Sequence, residues 1–88
     1  MNKRDRAILI SFINKNLREN YDKYIDEIKI KIEKGETLRL DSLDYLIDYC
    51  FIYYNSDLDK NFGKVFKKLK LMKYNLIEKM TANDFRHL

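Results

Sequence analysis

Residues 57–80 read DLDKNFGKVFKKLKLMKYNLIEKM, and this stretch decides the fold. Its apolar residues recur at alternating intervals of four and three, the spacing that keeps side chains on one face of a helix. They are Leu58, Phe62, Val65, Leu69, Met72 and Leu76. Ser56, Asp57 and Asp59 suit a helix start, because a hydroxyl or carboxylate there accepts bonds from free backbone amides. The stretch therefore predicts a long last helix with one apolar seam.

A more apolar segment, residues 41–54, precedes this helix. Apolar side chains occupy nearly its whole circumference, apart from a stripe formed by Asp41, Asp44 and Asp48. A helix with so little polar surface is usually buried on most sides. We expect Asp41 to be its N-cap and the helix to lie at the centre of the fold.

The first third of the chain carries another helical seam, with a spacing of about 3.67 residues per turn. Its members are Ile10, Ile13, Leu17, Tyr21, Tyr24, Ile28 and Ile32. One continuous helix over residues 5–34 would be about 45 Å long, whereas a globule of this size is about 30 Å across. We therefore favour a break at residues 18–20, with Asn20 capping a second helix. Gly35 suits the end of that helix.

Together these patterns predict a single all-α domain over residues 1–88. It is a small bundle of three to four helices, at about 5–18, 20–34, 41–54 and 57–80, the first two either separate or continuous. The chain contains no proline and only two glycines, Gly35 and Gly63, which leaves few turns and favours helices.

Composition argues against several function classes. The single cysteine, Cys50, and the single histidine, His87, cannot form an internal disulfide or a zinc site. The sequence shows no glycine-rich phosphate loop and no apolar run long enough to span a membrane, and without an apolar h-region we expect no signal peptide. We therefore expect a cytoplasmic protein that is not an enzyme and has no catalytic residues, cofactor or metal.

Charge is distributed unevenly along the chain. Residues 35–59 carry one positive and six negative charges, whereas residues 60–88 carry eight positive and two negative ones. Two candidate contact surfaces follow from this. The basic one comprises Lys60, Lys64, Lys67, Lys68, Leu71, Lys73 and Tyr74. The acidic one comprises Asp41, Asp44 and Asp48.

Two functional hypotheses fit these observations. The first is a non-enzymatic helical binding protein that occludes or bridges a macromolecular partner, as a phage- or plasmid-borne inhibitor or immunity-type protein does. It would be oligomeric, as a homodimer, because so short a chain has more apolar helical surface than it can cover. The alternative is a nucleic-acid-binding regulator that uses the lysine face of the last helix. No motif in the sequence identifies the partner.

Overall fold

A computed structural model describes residues 1–86, with side chains through Thr81. These residues form four helices: α1 (Lys3–Glu19), α2 (Lys23–Glu33), α3 (Leu40–Tyr53) and α4 (Phe62–Arg86). The prediction of an all-α bundle is confirmed. The helices stand at the corners of a square, in which α1 and α3 each pack mainly against α2 and α4. α1 and α3 are therefore diagonal to each other.

One core fills the space between the four helices. Its fully buried members include Leu9 and Ile13 of α1, Ile25 of α2, Leu46 of α3 and Leu69 of α4. Each lies on the apolar face of its own helix, so every helix contributes one stripe to a shared interior. At one end of the bundle aromatic rings complete the core, and Phe12 stacks on Phe62 with ring centroids 4.0 Å apart.

The first seam is broken into two helices, as favoured, but the second helix is not capped by Asn20. Asn20 ends α1, where its backbone amide bonds to the Asn16 carbonyl. Asp22 is the N-cap of α2, and its carboxylate accepts bonds from the amides of Tyr24 and Ile25. A carboxylate also suits the positive end of the helix dipole. α2 therefore begins three residues later than predicted.

Gly35 ends α2 in the predicted way. Its φ of +73° lies in the left-handed region, and the Glu36 amide bonds back to the Lys31 carbonyl. This is the Schellman arrangement, which favours glycine because other residues are strained there.

α3 differs from its prediction in its cap and in its burial. Arg39 rather than Asp41 is the N-cap, and it makes no side-chain capping bond. Asp41 instead lies in the first turn, where its carboxylate accepts a bond from the Ser42 amide. The helix is also not buried on most sides, since Phe51 is 74% exposed and Ile52 is exposed beside it. Only its core-facing half is covered, because α3 stands at a corner of the square.

The last helix begins and ends later than the predicted 57–80. Residues 55–61 form a turn in which the Asn55 side chain accepts bonds from the amides of Asp57 and Leu58, and the Asp59 carboxylate accepts one from the Asn55 amide. The polar side chains thus stabilise a turn instead of capping a helix. Leu58 consequently lies outside the seam, 76% exposed. At the other end α4 continues to Arg86.

Candidate functional site

The side of α4 that faces away from the bundle carries one continuous line of side chains. Lys64, Lys67, Leu71 and Tyr74 follow one another at intervals of three, four and three, so they share a face. We call them the outer stripe of α4. Leu71 is 61% and Tyr74 62% exposed. Lys64 and Lys67 form no ion pair with any side chain through Thr81.

The other lysines of the predicted basic surface lie apart from this stripe. Lys68 faces α1, where its Nζ is 2.5 Å from Oδ2 of the nearly buried Asp5. Lys73 faces α3, with its Nζ 2.5 Å from Oδ1 of Asp44. The hydrogen bond to Asp44 raises the pKa of Lys73. Lys60 precedes α4 in the turn of residues 55–61. The predicted surface is therefore divided among three sides of the molecule.

The predicted acidic stripe lies together on the outward side of α3. Asp41 and Asp48 are exposed and Asp44 is half-buried beside Lys73. The same side continues into Phe51 and Ile52, one and two turns beyond Asp48 and Asp44. We call these five residues the acidic face of α3. Its exposed apolar end was not predicted, because the sequence pattern placed both side chains in the core.

A third surface is an open groove of about 960 Å³ between α1 and the turn of residues 55–61. We call it the α1 groove. Arg4, Lys15 and Arg18 line it from α1, and Leu58, Asp59 and Lys60 line it from the turn. Lys15 and Asp59 form an ion pair across it. The α1 cations share a helix face in the sequence, but the opposite wall depends on a turn that was predicted to be helical.

A smaller cavity, of about 200 Å³, lies where the start of α1 meets α4. Leu9, Leu38 and Leu69 line it, and the Arg6 side chain lies beside Gly35 at its edge. Its volume is below the range of about 300–1,000 Å³ that is typical of cofactor sites.

The single cysteine, Cys50, is fully buried as a free thiol. Burial raises its pKa to about 12, so the reactive thiolate is absent near neutral pH. Among the side chains described, no group of three or more histidine, cysteine, aspartate or glutamate residues could hold a metal ion. His87, the one histidine, lies outside the described residues.

The chain matches no protein-family model, and neither the curated proteins nor the solved structures searched contain a match. Within residues 1–86 no helix is both long and apolar enough to cross a membrane.

Proposed function

We propose that this chain is a non-enzymatic binding protein that occludes or bridges a protein partner, using the outer stripe of α4 as a contact surface. The observation that carries the proposal is the exposure of Leu71 and Tyr74 next to Lys64 and Lys67 on one helix face. An inhibitor or immunity-type protein of a phage or plasmid would act in this way. The cytoplasm is the proposed place of action, since the only cysteine is a buried free thiol.

The chemistry of the outer stripe supports a protein partner. Tyrosine and leucine side chains supply apolar contact area, and an aromatic residue at the centre of a contact commonly contributes much of its binding energy. Lys64 and Lys67 extend the stripe at one end. A partner with an apolar groove bordered by carboxylates would complement both parts.

Affinity capture with matched variants tests this proposal. Leu71→Asp places a charge in the stripe, whereas Ile30→Asp makes the same kind of change at an exposed position of α2. We expect a partner that is retained by the wild type and by Ile30→Asp but lost with Leu71→Asp. The proposal is wrong if the three baits recover the same proteins.

A second candidate function, nucleic-acid binding, is favoured by the exposed Lys64 and Lys67, which are without ion-pair partners among the described side chains. Reversing both charges should abolish a gel shift with duplex DNA or RNA, while the reversal Lys31→Glu on α2 should leave it. The affinity should fall with salt by a logarithmic slope of about 0.9 for each phosphate contacted. No shift at about 50 mM salt would exclude this alternative, because such contacts are strongest at low salt.

A further inference from the structure

The acidic face of α3 and the α1 wall of the groove are the outward sides of two helices that stand at diagonal corners of the bundle. No ion pair between described side chains joins the two surfaces within one chain. Both follow a helix over several turns, and both combine charged with exposed apolar side chains. A contact between the groove and the acidic face would therefore join two separate molecules.

The α1 groove is a cationic surface with an apolar wall. Its four cations are Arg4, Lys15, Arg18 and Lys60, against two carboxylates, Asp57 and Asp59. Lys15 is engaged by Asp59, which leaves the two arginines, 14 positions apart in the sequence, for an outside anion. At 1.5 Å per residue the arginines are about 21 Å apart along α1. Leu58 presents its apolar side chain beside them.

The acidic face of α3 offers the complementary set. Asp48 is exposed and has no ion-pair partner among the side chains described, whereas Asp44 is bound to Lys73 and Asp41 has only the distant Arg39 at 3.8 Å. Phe51 and Ile52 supply exposed apolar surface next to these carboxylates. Arginine forms strong, directional pairs with carboxylates. The groove therefore matches this face both in charge and in apolar character.

We propose that copies of this chain associate head to tail, with the acidic face of α3 of one copy seated in the α1 groove of the next. This develops the oligomer that the short chain led us to expect, with a head-to-tail contact in place of a homodimer, and rests on the proposed function only for its biological purpose. Self-association of this kind leaves the outer stripe of α4 outside the contact. Each assembly would then present several copies of that stripe to a partner.

The diagonal placement decides the symmetry of the association. A two-fold dimer would have to bury both surfaces of each chain in one contact, which needs them on the same side. Because they lie on the outward sides of diagonal helices, each copy keeps one free groove and one free acidic face. The contact is thus heterologous and produces a ring or an open chain whose size grows with concentration.

The groove is less suited to nucleic acid. A phosphate backbone presents continuous negative charge, which Asp57 and Asp59 on the wall of the groove would repel. Asp41 and Asp48 are seven positions apart, about 10 Å along α3, so the acidic face can place the unpaired Asp48 at one arginine of the groove and keep Phe51 and Ile52 beside Leu58. The occupant that the chemistry selects is the acidic face of α3.

Two variants that each block one side of the contact test the proposal. The groove variant carries Arg4→Asp and Arg18→Asp, and the face variant carries Asp48→Lys and Phe51→Ser. All four positions are exposed, so both variants should fold, which circular dichroism can check. The matched controls lie on α2: Lys23→Asp with Lys31→Asp for the groove, and Glu27→Lys with Ile30→Ser for the face.

Sedimentation velocity at low salt and up to about 100 μM covers the range expected of a weak interface. The wild type and both controls should show a mass that rises with concentration beyond a dimer. Each blocked variant alone should remain a monomer. An equal mixture of the two should form a 1:1 dimer and nothing larger, because the intact face of one variant fits the intact groove of the other.

Three results would overturn the proposal. They are a wild type that stays monomeric over the whole range, a dimer that the two variants leave intact, and a mixture that remains monomeric. These measurements use the purified chain alone and leave the outer stripe unchanged. A failure here is therefore distinguishable from a failure of partner capture, which depends on Leu71.

Discussion

α4 has two halves that differ in burial although they carry the same apolar spacing. In the first half Phe62, Val65, Phe66 and Leu69 are all buried. In the second half Leu76 is the last described side chain packed against the core, and Met80 is 54% exposed. From residue 77 to its end at Arg86 the helix continues for about 15 Å beyond Leu76. This projection contributes to the long dimension of the molecule, 48 Å against 25 and 24 Å.

The difference arises from where the neighbouring helices end. α1 runs antiparallel to α4, so its first turn lies beside Lys68, which Asp5 contacts. α3 is also antiparallel, and its first two turns reach Lys73 through Asp44. α3 begins at Leu40, four residues before Asp44, so its cover of α4 ends about one turn beyond Lys73, near Leu76. An apolar seam therefore predicts which face of a helix can be buried, whereas the length of its neighbours determines how much of it is.

Truncating a side chain in the covered half should have the largest effect. Leu69→Ala, or Leu46→Ala on α3, should lower the free energy of unfolding by about 2–5 kcal/mol, because each leaves a cavity in the core. Both side chains are fully buried. Urea unfolding followed by circular dichroism would measure the loss. A loss below about 1 kcal/mol at both positions would contradict this assignment of the core.

Sequence reasoning reached the fold because the seams and the scarcity of turn residues are local properties. The break before α2 and the left-handed Gly35 followed from spacing and from residue type. The start of α4 did not, because Asn55 and Asp59 bond to backbone amides within a turn and thereby remove Leu58 from the seam. Side chains that can cap a helix can equally stabilise a turn.

The candidate surfaces were predictable to a smaller extent. The outer stripe of α4 follows from helix geometry alone, since its members share one face. The ion pairs of Lys68 and Lys73 depend on which helices flank α4, and that is a property of the tertiary structure. The α1 groove needs both the packing of α1 on α4 and the turn of residues 55–61. The spacing of apolar residues in the sequence predicts neither the packing of α1 on α4 nor this turn.

A change of pH should affect the covered core through Cys50. Burial raises its pKa from 9.0 to about 12. The unfolded thiol thus loses its proton near pH 9 while the folded one keeps it to about pH 12. Stability from this group is complete below pH 9 and is lost as the pH rises towards 12. Between about pH 8 and about pH 11 the wild type should lose about 2–3 kcal/mol more than Cys50→Ala does.

Urea unfolding of the two proteins at both pH values would measure this difference. Burial also raises the pKa of Tyr49 to about 12, so its contribution to the stability of the protein likewise falls as the pH rises towards 12. It is present in both proteins, and burial, the main cause of its shift, is common to both, so most of its effect cancels in the comparison. Equal losses for the wild type and Cys50→Ala would show that the thiol is accessible to solvent in the folded state.

Gly35, in the connection between α2 and α3, should have an intermediate effect. In Gly35→Ala the added Cβ would meet Nη1 of Arg6 at 3.0 Å, and the φ of +73° would strain any residue with a side chain. We expect a loss of about 1 kcal/mol in thermal or urea unfolding. Gly35→Asn separates the two causes, because asparagine tolerates this φ better but brings the same Cβ. Equal stability of Gly35→Ala and the wild type would argue against the left-handed conformation.

Truncation in the projecting half of α4 should have the smallest effect. Met80→Ala removes a largely exposed side chain, so the loss of unfolding free energy should stay below about 0.5 kcal/mol. The loss expected for Leu69→Ala is about 2–5 kcal/mol. Urea unfolding of both variants at low and high protein concentration makes the comparison. If Met80→Ala costs as much as Leu69→Ala only at high concentration, a second molecule covers the projecting half. If the two cost the same at every concentration, the projecting half is packed within the chain and the contrast between the halves is wrong.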